Sequence, residues 1–156
     1  MAKVDSEKLR SLAKFIVEEL SESEKKQLKS LLEAEELSVP VSIFKNNLSA
    51  LELSVRYLKD VKKLSFKEIS KLLGRKYSTL TTTYYNSVSK LKKLKYEKSR
   101  FFIPVSVLKK SKLSILESIV SYLSVEHKLP TKQIAQLLER SYETVKTVKR
   151  RCKQKA

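Results

Sequence analysis

The side chains able to do chemistry in this chain are few in kind and heavily weighted to one charge. Its only histidine, His127, has no Cys or Asp neighbour at metal-ligand spacing, and its only cysteine, Cys152, falls at an inward position of a helical pattern. One glycine cannot build a phosphate-cradling loop, and the scattered carboxylates stand at helix starts or near lysines. An enzyme, a metal centre and a cofactor are therefore not expected. What remains is positive charge: 34 Lys and Arg against 17 Asp and Glu, a net +17. Residues 1–37 carry 7 basic and 9 acidic side chains and the rest carry 27 and 8, so the excess lies wholly beyond residue 37. Such a chain associates with polyanions, whether nucleic acid, acidic lipid or acidic protein.

The scaffold that positions those charges is duplicated. Shifted by 65 residues, Leu48-Ser-Ala-Leu-Glu52 falls on Leu113-Ser-Ile-Leu-Glu117. Leu64, Ile69, Leu72, Leu73, Arg75, Tyr77, Thr79 and Thr82 likewise fall on Leu129, Ile134, Leu137, Leu138, Arg140, Tyr142, Thr144 and Thr147. Upstream, Pro40-Val-Ser matches Pro104-Val-Ser at an offset of 64. A self-match at fixed spacing names the structural unit, here about 60 residues, twice. With 41% apolar residues, one Gly and three Pro, the composition favours helices joined by short turns. No apolar run is long enough to span a membrane. No signal-peptide core opens the chain, so a cytoplasmic or nucleoid-associated protein is expected.

Leu9, Leu12, Ala13, Ile16 and Leu20 predict an amphipathic helix over 5–20, started by Asp5 or Ser6. Ser21-x-x-Glu24 predicts a capping box before a second helix with Leu28, Leu31, Leu32 and Leu37 on one face. This acidic hairpin, residues 1–37, reads either as a packing or homodimerisation element or as a partner-docking element. In each repeat the pattern predicts a lead helix (48–61; 113–126), a short helix (capped by Ser65; 131–138 after Pro130) and a last helix (from Tyr77 to about Lys93; 142–155 capped by Ser141). Gly74 marks the first tight turn; Glu139 stands at the matching place, so the second turn must differ or bear strain. Leu80, Val88 and Leu91, and Val145, Val148 and Cys152, are expected inward. Residues 92–100 either extend a helix or form a charged linker.

A short helix, a tight turn and a second helix form a helix-turn-helix layout, whose last helix fits a major groove. The stretch Leu64-Ser-Phe-Lys-Glu-Ile-Ser-Lys-Leu-Leu-Gly-Arg-Lys-Tyr-Ser-Thr-Leu80, closing on Ser89-Lys-Leu91, resembles the helix-turn-helix in region 4 of bacterial RNA polymerase sigma factors. Leu129-Pro-Thr-Lys-Gln-Ile-Ala-Gln-Leu-Leu-Glu-Arg-Ser-Tyr-Glu-Thr-Val145 resembles it equally, and the lead helices are similar to that family's. The resemblance implies an all-α fold: the hairpin, then one module over 38–95 and another over 101–156. It further implies double-stranded DNA as partner, read by the outer face of each last helix: Tyr77, Ser78, Thr81, Thr82 and Tyr85, and Tyr142, Glu143, Lys146, Thr147 and Arg150. Lys146 and Arg150 can reach guanine N7 and O6. Arg75, Lys76, Arg140, Lys149, Arg150 and Arg151, with Lys153 and Lys155, are expected at phosphates. Tyr77 and Tyr142 either pack over their turns or offer a hydroxyl to a phosphate. The expected role is transcription regulation, as a regulator or sigma-like factor, or DNA packaging. The alternatives are an RNA or ribonucleoprotein binder and an adaptor that docks on RNA polymerase.

Overall fold

The computed structural model describes residues 6–156, and the chain divides into two compact units, Met1–Leu37 and Ser38–Ala156. The first unit holds α1 (Ser6–Glu19) and α2 (Glu22–Glu36). The expected capping box starts α2: the Glu24 amide donates to Ser21 Oγ, and the Glu24 carboxylate accepts from the Ser21 amide at 2.9 Å. The apolar stripe of α1 is exposed, with Leu9 at 51%, Leu12 at 56% and Ile16 at 47%. Asp5 and the side chains of Leu31 and Leu32 lie outside the described residues.

The second unit is mostly helical. After β1 (Ser38–Pro40) and a 3-10 turn (Val41–Lys45) come α3 (Ala50–Arg56), which runs into a π-helical turn (Tyr57–Val61), then α4 (Phe66–Leu73) and α5 (Tyr77–Lys90). The second copy repeats this as β2 (Phe102–Pro104), α6 (Val105–Leu108), α7 (Ile115–Val125), α8 (Thr131–Leu138) and α9 (Tyr142–Lys155). No helix among the described residues is long and apolar enough to cross a membrane.

Local chemistry explains these boundaries. Ser49, Ser65 and Ser114 each accept from the amide three residues on and receive a glutamate in return, reciprocal caps that satisfy two orphan donors apiece. Ser141 caps α9 through the Thr144 amide. The left-handed residues come in pairs at matching positions: Lys63 (φ 57°) with Lys128 (φ 51°), and Gly74 (φ 60°) with Glu139 (φ 48°). Glu139 therefore bears the strain expected of a side chain in that region, about 1–2 kcal/mol. Glu139→Gly is expected to raise stability by about 0.5–1 kcal/mol, since glycine's larger unfolded-state entropy returns part of the gain. Gly74→Ala should lower it, because its Cβ would sit 3.4 Å from Lys109 Cγ on a left-handed backbone. Urea midpoints moving the other way would refute the pairing of these two turns.

The copies interlock about a local two-fold axis. β1 and β2 pair antiparallel with Val39 opposite Ile103, residues that are themselves equivalents. Ser38 then lies opposite Pro104 and Pro40 opposite Phe102, as a two-fold demands. Each lead-in segment crosses to the sister copy: the turn 41–45 packs on α8, and α6 packs on α4. The Lys110 amide donates to Leu73 O at 2.8 Å, fastening one such crossing, and α3 packs on α7. Single 60-residue repeats bury little apolar surface, so sharing one core is the stabilising solution. Val39, Ile43, Leu53, Leu58, Ile69, Leu73, Leu80, Ile103, Ile119, Leu123, Ile134 and Leu138 are fully buried in it.

Three expectations about the last helices need correction. α5 ends at Lys90, and residues 92–100 are a non-helical strap. Val88 and Leu91 are only half-buried; Ser87, the equivalent of Cys152, takes the inward place, its hydroxyl satisfied by Tyr84 O at 2.6 Å. Cys152 itself is half-buried, its thiol 3.4 Å from Glu117 O. Leu80 and Ser87 are about two helical turns apart at the 3.6-residue period and so share the inward face, and Val88 falls just past it.

Candidate nucleic-acid interface

α5 and α9 each pack one face on their own lead helix and leave the other to solvent. Lys76, Tyr77, Ser78, Thr82 and Tyr85 are exposed in the first copy, and Tyr142, Glu143, Lys146, Arg150 and Arg151 in the second. Thr81, Thr147 and Lys149 are half-buried. The Thr81 hydroxyl donates back to Ser78 O at 3.0 Å, and the Lys149 ammonium lies 3.2 Å from Thr131 Oγ1. Tyr77 and Tyr142 are 56% and 51% exposed, so neither ring is enclosed over its turn.

Arg75 and Arg140 have a different setting. Both line one cleft of about 580 Å³ between the copies, together with Ser49, Ala50, Leu51 and their equivalents Ser114, Ile115, Leu116. No carboxylate lines it. Arg140 Nη2 donates to Leu48 O at 3.1 Å, tying the second copy to the first, whereas the buried Arg75 Nε has no hydrogen-bond partner. Both guanidiniums are half-buried at the copies' junction, whereas Lys146, Arg150, Arg151 and Lys153 of α9 are exposed.

Comparison with protein-family models, with curated proteins and with solved structures finds no match. The residues alone therefore carry the functional reading.

Some tail charge is already engaged. Lys90 Nζ lies 2.7 Å from Glu52 Oε1, and at the equivalent place Lys155 Nζ lies 2.8 Å from Glu117 Oε2. Lys155, expected at a phosphate, instead locks α9 to α7. The Lys155 ammonium and the Ser114 amide hold the Glu117 carboxyl below its ordinary range. A carboxyl lowered on folding adds stability above its unfolded pKa of about 4.3, and that stability is lost as pH falls through the lowered folded value. Glu117→Gln should cost about 1–3 kcal/mol at neutral pH and flatten the acid limb of the urea-midpoint profile. An unchanged acid limb would show that Glu117 is not the linked group.

Sequence reasoning missed one polar network. Arg56, only 3% exposed, donates from Nε to Asp60 Oδ2 at 2.7 Å and from Nη1 to Leu91 O at 2.8 Å, with Nη2 3.4 Å from Lys92 O. The Tyr84 hydroxyl donates to Asp60 Oδ1 at 2.7 Å, and this bond raises the Tyr84 phenol's pKa. The i, i+4 spacing of Arg56 and Asp60 was the available signal, although such pairs usually lie on solvated faces. The strap is further held by Ser42 Oγ to Glu97 O at 2.7 Å and by Tyr57 against Tyr96.

Proposed function

We propose that this chain binds double-stranded DNA through two helix-turn-helix modules of the sigma region 4 kind, with α5 and α9 as the reading helices, and acts in transcription regulation. The observation that carries this reading is the pair of equivalent outward helices on one interlocked basic unit, with Lys146 and Arg150 open on one and Thr82 and Tyr85 on the other. A groove admits an α-helix, and paired reading helices bind half-sites about 34 Å apart, one helical turn, which is the spacing this reading requires of α5 and α9. Duplex RNA is a poorer fit, because its deep, narrow major groove excludes a reading helix.

The test is gel-shift competition of duplex DNA against duplex RNA at physiological salt, followed by footprinting on DNA selected from random sequence. Preference for DNA with a two-part footprint supports the reading; equal competition by duplex RNA removes it. Docking on RNA polymerase is checked by pull-down after nuclease treatment.

The same reading gives α1 to self-association, since its exposed Leu9, Leu12, Phe15 and Ile16 would otherwise stay in water. Light scattering is expected to show a dimer for the full chain and a monomer for Leu12→Glu/Ile16→Glu. A wild-type monomer would end the dimer proposal.

A further inference from the structure

The first repeat carries rings that the second lacks. Phe66, Tyr84 and Tyr85 occupy the positions of Thr131, Lys149 and Arg150, and of the four clustered rings only Tyr77 has an aromatic equivalent, Tyr142. Phe66 is the hub, with ring centroids 6.0 Å from Tyr77, 5.4 Å from Tyr84 and 6.4 Å from Tyr85; Tyr84 and Tyr85 are 5.4 Å apart. Most of these pairs meet edge to face, the arrangement that ring quadrupoles favour. Tyr84 is pinned by its hydroxyl to Asp60, which Arg56 holds in turn. Yet Tyr77 is 56% and Tyr85 63% exposed. Two braced rings in water give up little freedom on binding a flat partner.

Charge names the partner. The Lys59 ammonium stands 4.6 Å from the Phe66 centroid, and Lys67 and Lys76, neighbours in sequence of Phe66 and Tyr77, are exposed. The nearby acids are engaged, Asp60 by Arg56 and Tyr84, Glu68 by the cap at Ser65. Glu68 offsets part of the Lys59 charge, but flat rings beside Lys59, Lys67 and Lys76 still suit an unpaired base with its phosphate, because every base has a face to stack. In a duplex those faces are hidden and only edges are offered, which is what Lys146 and Arg150 suit.

We propose that the first repeat is a stacking platform for unpaired bases, so that the protein recognises a duplex adjoining a single strand. The duplex half, read by α9, rests on the function proposed above; the platform does not, and it takes the place of the groove contact assigned there to α5. The full chain would be titrated by fluorescence anisotropy with labelled oligo-dT, a blunt duplex, and that duplex carrying a dT overhang. The chain has seven Tyr and no Trp, so stacking is read as the tyrosine quenching that is lost in Tyr77→Leu/Tyr85→Leu. Expected is tighter binding of the overhang duplex than the blunt one by about 5- to 150-fold, with quenched tyrosine emission. Tyr77→Leu/Tyr85→Leu should bring the overhang-to-blunt ratio to about one, and Tyr85→Trp should retain it. Lys146→Ala/Arg150→Ala should weaken both duplexes in parallel and keep the ratio. Equal affinity for the two duplexes, or a ratio untouched by loss of both rings, overturns the platform. Oligo-dT binding that depends on the rings, with no blunt-duplex binding, keeps the platform and overturns the duplex reading alone.

Discussion

Alanine at both Lys146 and Arg150 is expected to weaken binding to a preferred duplex by about 1–3 kcal/mol per lost bidentate base contact, and to relax sequence preference with it. The two side chains lie one turn apart on the exposed face of α9, in the copy whose last helix is the more basic. Arg151→Ala and Lys153→Ala, exposed on the same helix, should instead lower affinity uniformly and reduce the salt slope by about one unit each. Lys155 is excluded from that set by its bond to Glu117. The comparison separates base reading from phosphate anchoring, which a single affinity cannot do. If both sets of changes act alike on every duplex, α9 holds backbone only and does not read sequence.

The second large effect concerns stability. Arg56→Met is expected to cost about 2–3 kcal/mol, below the roughly 3–5 kcal/mol of a fully buried ion pair, because the Asp60 side chain keeps 33% of its surface in water. The guanidinium is 3% exposed and serves Asp60, two strap carbonyls and the Tyr84 ring, whose centroid is 5.9 Å from Cζ. Methionine fills the volume but leaves the Leu91 carbonyl unpaired and Asp60 beside an apolar stem. Lysine should not rescue, since a single ammonium cannot reproduce the planar fork. Pairing the change with Asp60→Asn should recover part of the loss by removing the stranded charge. Urea unfolding of the three variants decides it, and a midpoint within error of wild type for Arg56→Met would show the network to be dispensable. The second copy has Ser121, Val125 and Lys149 at these positions and does without it.

How legible each feature was follows from the range of the interaction behind it. Ser65 with Glu68, Ser141 with Thr144, and the strained Glu139 turn could be read directly, because caps and left-handed residues depend on partners three or four positions away. The outward position of Lys146 and Arg150 followed from helical period and the inward Val145 and Val148. Ser87 was passed over for Val88 because side-chain polarity was weighed above register, although the repeat already aligned Ser87 with Cys152. Arg56 was passed over because nothing local distinguishes a buried i, i+4 pair from a solvated one.

By itself the sequence determined that the chain is helical, that its basic part is one motif written twice, and where most helices begin and end. Capping and helical period act within a turn or two, so they are present in the residue order. Only the tertiary structure decided that the lead-in segments exchange between copies, that Arg75 and Arg140 share one cleft, and that Arg140 reaches Leu48 O across 92 positions of chain. Those contacts exist because two marginal cores fuse about an axis, and no short-range rule encodes where an axis falls.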